Sequence, residues 1–191
     1  QSGCQVEVQT DPNLPVIANV RIARGNFPLH LVQYRPSAGE APDYLICYQC
    51  SLALRLFQNL PEKRLDLADT AEGRQKVEKL IASHPKLRLP PQRAAGLRDQ
   101  LYDGLLLHLR SIPIGLRASE WLAQNYPELT GAQEVSVRKE LEQAQATLRQ
   151  ELKDMLPAKV YDATQVINAA YALFWVEKWG QDSYVNPYRL Y

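Results

Sequence analysis

Residues Asp43 to Asn59 read DYLICYQCSLALRLFQN. Wound as a helix at about 100° per residue, this stretch is apolar on nearly every side, and such a helix belongs in an interior rather than on a surface. One sector is polar. Ser51, Arg55 and Gln58 fall together at i, i+4 and i+7 and are expected to face solvent. Gln49 projects nearly the opposite way, alongside Leu45, Ala53 and Leu56. A buried amide without partners costs about 1–3 kcal/mol, so Gln49 is expected either to tie the helix to a neighbouring backbone group or to mark a functional position.

Upstream of this helix the chain alternates and carries turn signals. VEVQT (6–10), VIANVRIA (16–23) and LHLVQY (29–34) read as strands, separated by Asp11-Pro12-Asn13 and Arg24-Gly25-Asn26. Residues 36–42, with a proline at each end, close the strand region. Downstream the pattern is helical. Residues 70–83 suggest a helix capped by Asp69 or Thr70, and His84-Pro85 through Pro90-Pro91 form a connector. Residues 91–111 suggest a further helix with Leu97, Leu101, Leu105 and His108 on one side, interrupted at Pro113 and followed by a shorter helix at 116–125. Residues 130–156 look like one surface helix. Thr130 and Gln133 suit a capping box, and Val137, Leu141, Leu148, Leu152 and Met155 make a narrow apolar stripe. Residues 162–179, with Asp162 as cap, become nearly all apolar and suggest a central helix. The expected class is α+β in a single domain over 1–191: strand-rich 1–42, helical 43–180 and an aromatic tail 181–191.

Composition narrows the function classes. With 22 basic and 21 acidic residues the net charge is +1, so no overall surplus exists to neutralise nucleic-acid phosphates. No run reaches the roughly 18–20 apolar residues that cross a bilayer, and the opening QSGC carries no secretory leader pattern. Three cysteines are too few for a disulfide scaffold. A soluble, cytoplasmic protein with no membrane or general nucleic-acid partner is the resulting expectation.

Catalytic patterns are sparse. There is no G-x-S-x-G elbow, P-loop or G-x-G-x-x-G. Cys47-x-x-Cys50 lies at least one turn inside the helix, away from the N-terminal dipole that would activate a thiol. A zinc site would need two further ligands, and only Cys4, His30, His84 and His108 remain, at no ligand spacing. No metal or other cofactor is therefore expected.

The layout of strands, a Pro/Gly-containing loop and an apolar helix resembles the ImmA/IrrE-type zinc metallopeptidases over about residues 6–59. There the helix carries His-Glu-x-x-His, with two imidazoles on one face binding zinc and the glutamate activating water. The resemblance places Tyr48 on the first His, Gln49 on the Glu and Leu52 on the second His. Tyr and Leu supply no imidazoles, and Gln is no general base at neutral pH. What the resemblance implies is a pseudo-zincin, with Gln49 as a vestige of a catalytic position.

The leading expectation is thus a non-catalytic interaction or regulatory domain on a degenerate metallopeptidase-like scaffold, with an unidentified protein as partner. Aromatic and Arg side chains dominate interface hot spots, which makes Trp179, Tyr184, Tyr188, Arg189 and Tyr191 the candidate contact residues, with the charged helix 130–156 as a second surface. One alternative is an enzyme whose site gathers Tyr48, Gln49 and His108 in an inter-helix pocket. A thiol redox module using Cys47 and Cys50 is the other.

Overall fold

Two turns order the N-terminal strands. Asp11 accepts from Asn13 N–H through its carboxylate (2.9 Å) and from Leu14 N–H through its carbonyl (3.2 Å), turning the chain out of β1 (Val6–Thr10). Arg24 and Phe27 exchange two backbone hydrogen bonds of 3.0 Å around Gly25-Asn26. Gly25 takes a φ of 56° there, which costs it nothing for want of a Cβ. That turn lies between β2 (Ala18–Arg21) and β3 (His30–Tyr34), and Arg21 stacks on the Phe27 ring at 3.6 Å. The computed structural model describes residues 3–36, 41–58 and 69–189, and its architecture is α+β. The helices are α1 (Pro42–Gln58), α2 (Ala71–Ala82), α3 (Pro91–Asn125), α4 (Thr130–Gln145), α5 (Gln150–Met155) and α6 (Ala158–Trp179). Asn59 and residues 37–40 lie outside the described residues.

Contacts group the chain into two compact units. One comprises Gln1–Leu65 with Pro113–Val137, the other Asp66–Ile112 with Arg138–Tyr191.

In the first unit the sheet order is β1-β3-β2, with β1 parallel and β2 antiparallel to β3. Val32 in the central strand pairs with Val8 on one side and Val20 on the other and is fully buried. β2 is shorter than the expected 16–23: at one end the register pairs Ala18 with Tyr34, the last residue of β3, and beyond the other the Ala23 N–H donates to the His30 ring. α1 packs on β2 and β3 through the stripe Cys50, Ala53, Leu54 and Phe57.

The opposite side of α1 is also covered, which corrects the solvent-facing assignment of Ser51, Arg55 and Gln58. Ser51 is 1% exposed, its hydroxyl donating to the Tyr48 carbonyl at 2.7 Å, and Arg55 reaches the Arg117 carbonyl of α3 at 3.5 Å. Of the three, only Gln58 is exposed. The polar groups on this side are used locally, so the sector can sit against another helix. Tyr44, Leu45 and Leu122 form the core here, joined by Ile17, Tyr34, Tyr48, Trp121 and Ala132.

α3 runs unbroken through Pro113, contrary to the expected interruption. Proline removes one helical donor at a cost of about 3 kcal/mol, yet its fixed φ is itself helical. Gly115, Ala118, Ser119 and Leu122, which follow, are buried, and their packing offsets that cost. The Thr130–Gln133 capping box does not form either. A 3-10 turn, Pro127–Leu129, already feeds the helix, so Thr130 sits in helical geometry with its N–H on the Pro127 carbonyl. Gln133 instead donates to the Ser119 carbonyl at 3.0 Å and is buried.

In the second unit Thr70 caps α2, its hydroxyl accepting from Gly73 N–H at 3.1 Å. The Tyr102 hydroxyl accepts from Thr70 N–H at 3.1 Å, and its ring lies over Gly73, where an added Cβ would come within 2.6 Å of it. Arg74 then gathers Asp69, Asp99 and Asp103 at 2.7–2.8 Å. Its hydrogen bonds hold the Asp69 carboxyl below the usual range, while Asp99 is lowered first by Arg98 and then by Arg74.

The single helix expected over 130–156 is broken. α4 ends at Gln145, a 3-10 turn follows, and Arg149 is extended before α5 begins. Buried side chains of α6 cause the break. Gln165 donates to the Thr147 carbonyl at 3.2 Å and Asn168 to the Thr147 hydroxyl at 3.1 Å, so those groups are satisfied from outside the helix. Met155, assigned to the apolar stripe, is 58% exposed. α6 starts at Ala158 after Pro157, earlier than the expected Asp162 cap, because proline's fixed φ suits a helix entry. It ends on Gly180 at φ 69°.

The close approach of α1 and α3 rests on one missing methyl. A Cβ on Gly115 would collide with the Tyr48 hydroxyl but would stand 3.7 Å from the ring carbon bearing it. Gly115→Ala is therefore expected to cost about 1–3 kcal/mol in denaturant unfolding, and clearly less in a Tyr48→Phe background. Equal costs in both backgrounds would refute this packing.

Candidate functional site

The sheet extends past the helix that covers it. The register puts Val6, Val8 and Thr10 on the same face as His30, Val32 and Tyr34. α1 lies over β2 and β3, and all five residues of β1 are exposed, with Val6 at 54% and Val8 at 44%. An apolar groove of about 270 Å³ results. Its sheet wall is Val6, Val20, Val32 and His30, and its helix wall is Cys50, Ala53, Leu54 and Phe57.

His30 forms the polar point of this groove and is 3% exposed. Its Nδ1 accepts the Ala23 N–H at 3.0 Å, which assigns the ring proton to Nε2, and Phe57 meets the ring edge-on at 5.2 Å. The imidazole is thus fixed in place by backbone and aromatic contacts.

Parallel pairing also fixes which backbone groups are used. His30 N–H donates to the Gln5 carbonyl at 2.8 Å, so the odd residues of β1 direct N–H and C=O toward β3. Val6 and Val8 consequently direct theirs outward, along an edge on which no strand pairs among the described residues. Val6 lines the groove and Val8 shares its face of the sheet, while the outward main-chain groups of both meet no strand among the described residues. Sequence reading passed over this site. The alternation of VEVQT is visible, but the position of β1 outside β3 is a property of the parallel crossover and has no local signal.

The residues singled out from sequence lie elsewhere. Tyr48 is half-buried against Gly115, in the core between α1 and α3. Gln49 is 8% exposed, buried as helical geometry requires. His108 is half-buried on α3 in the other unit. None of the three lines this groove or the smaller pocket of about 220 Å³ between α1 and α4. Among the described residues no group of three or more His, Cys, Asp or Glu side chains is placed to hold a metal ion, and no helix is long and apolar enough to cross a membrane.

Cys47 and Cys50 are thiols on α1, each pushed above the usual thiol range, chiefly by burial. Cys47 is raised further by the charges of Asp43 and Glu128.

The aromatic tail folds onto its own unit. Arg138 donates to Gln181 (2.9 Å) and to the Tyr184 hydroxyl (2.8 Å), with its guanidinium 5.5 Å from the Trp179 ring and 5.8 Å from that of Tyr184. Tyr188 is 5% exposed, and its hydroxyl is buried with no hydrogen-bond partner among the described residues. Arg189 is exposed, 3.9 Å from Asp182. Tyr191 lies outside the described residues. Of this candidate set, Tyr188 is committed to the unit's interior and Tyr184 is half spent on Arg138.

No protein-family model, curated protein or solved structure matches this chain.

Two measurements check these environments. Raised thiol pKa values lower the thiolate fraction at neutral pH, so exposed Cys4 should react first with a thiol reagent while Cys47 and Cys50 lag; equal rates at all three would contradict the burial. For Tyr188, burial pushes the phenol up to about 12, whereas an unfolded tyrosine ionises near pH 10, at about its ordinary value. Between these limits the native state holds a proton that the unfolded chain has lost, so stability falls as pH rises and is intact below that window. Tyr188→Phe should match or exceed the parent's stability at neutral pH, because the hydroxyl it removes is unpartnered, and should flatten the alkaline decline. A substantial loss at neutral pH would show that the hydroxyl has a partner.

Proposed function

We propose that this chain is a non-catalytic protein-interaction domain that takes up an extended segment of a partner at the β1 edge. One observation carries the reading: no strand pairs with the outer edge of β1 among the described residues, and Val6 on that edge also lines the apolar groove. A strand adding to Val6 and Val8 gains main-chain hydrogen bonds along the edge. Its alternate side chains then fall over the groove walled by Leu54 and Phe57, where apolar burial contributes about 25 cal/mol per Å². Left alone, such an edge invites unspecific pairing, and the groove supplies the selectivity. The reading assigns no chemical step to the two ionisable groups here: His30 accepts from Ala23 N–H and meets the Phe57 ring, and the Cys50 thiol is raised by burial. A degenerate metallopeptidase-like scaffold is compatible with this reading and is not needed by it.

Selection from a displayed library of random peptides tests the proposal. Enriched sequences should share an extended stretch with apolar residues two apart. Val8→Pro removes an outward N–H and leaves the β1–β3 ladder intact. Val6→Asp puts a charge at the exposed groove wall. Both should abolish capture without lowering the melting temperature. Failure of any sequence to enrich, or peptides that bind both variants as tightly as the parent, would overturn it.

A further inference from the structure

We infer that the outward face of α6 is a self-association surface that pairs with α6 of a second copy in antiparallel register. It involves residues remote in sequence from β1 and stands or falls apart from the proposal above.

Not all apolar residues of α6 are inside. Ala172, Trp175 and Val176 are buried, while Val166 is 68% and Leu173 48% exposed. At about 100° per residue, Lys159, Asp162, Val166, Ala170, Leu173 and Glu177 fall in one narrow sector, and every one of them is exposed. The helix thus presents an apolar centre with a lysine at its N-terminal end and a glutamate at its C-terminal end.

Charge order selects the occupant. Lys159 and Glu177 are separated by about 27 Å along the axis at 1.5 Å per residue. A second α6 laid antiparallel, with a twofold axis near Asn168, brings Lys159 level with Glu177 of the other copy twice over. The same register sets Val166 against Ala170 and Leu173 against Ala163, a small residue opposite each large one, which lets the helices approach closely. Asp162 shares this face within one turn of Lys159, whereas Lys178 lies about 100° round the helix, its ammonium 5.5 Å from the Phe174 ring. A parallel pairing would instead put Lys159 on Lys159 and Glu177 on Glu177. Complementarity of this kind is self-complementarity about a twofold, the property an isologous dimer requires. A single helix face is small for an interface, so the association is weak and concentration-dependent.

Sedimentation equilibrium of the whole chain over a concentration series tests the inference. A monomer–dimer equilibrium is expected. Val166→Lys with Leu173→Lys, both at exposed positions, should shift it to monomer. Lys159→Glu and Glu177→Lys should each weaken dimerisation by about tenfold, and the double variant carrying both should restore it, an outcome that loss of folding cannot imitate. A monomer at every accessible concentration would overturn the inference. So would a dimer indifferent to Val166 and Leu173, or a double charge swap no better than the single ones.

Discussion

Helix α1 has no side that water can wet without cost, and the first unit is arranged to meet that demand. β2 and β3 cover the Cys50–Phe57 stripe, and α3 covers the side of Tyr48 and Ser51. The second cover is possible because Gly115 gives the Tyr48 hydroxyl room and because the Ser51 hydroxyl is satisfied within its own helix. Val32 is fully buried because it lies under the helix, at the middle of the sheet. β1 remains outside this cover, and its valines stay in contact with solvent.

Polar side chains decide where the helices begin, end and break. Gln133 holds a carbonyl of α3, Gln165 and Asn168 hold Thr147, and Arg138 holds the tail. Each reaches from one element to a polar group of another. Such ties contribute about 0.5–1.5 kcal/mol each, modest singly, but they select one arrangement among several that the apolar pattern alone would permit.

The strands were legible where period-two alternation and a turn agreed, as in VEVQT before Asp11 and around Gly25-Asn26. Thr70 was legible as a cap because its hydroxyl acts on a donor three residues away. In three places the deciding partner is distant in sequence. Pro113 looks like a stop until the burial of the residues after it is known. The helix over 130–156 looks continuous until Gln165 and Asn168 are seen to claim Thr147. Ser51 looks solvent-facing until α3 is laid over it. The groove was illegible for the same reason, since strand order is set by the crossover that places β3 between its neighbours. Gln49 was correctly read as buried, yet burial is all that its helical position conveys.

The order of the sheet also has a temporal side. β2 and β3 are antiparallel neighbours joined around Gly25-Asn26, a short closure that forms early. β1 comes first in the chain but pairs only with β3, across a longer closure than the one that joins β2 to β3. Exposed along its whole length and not covered by α1, it is expected to open more readily than β2. Its register matters as well, because a slip of one residue would turn Glu7 and Gln9 toward the groove in place of the valines. A segment bound along the outer edge would hold β1 from its second side, converting an edge strand into an inner one and raising its resistance to opening by an amount that grows with the segment's free concentration relative to its dissociation constant.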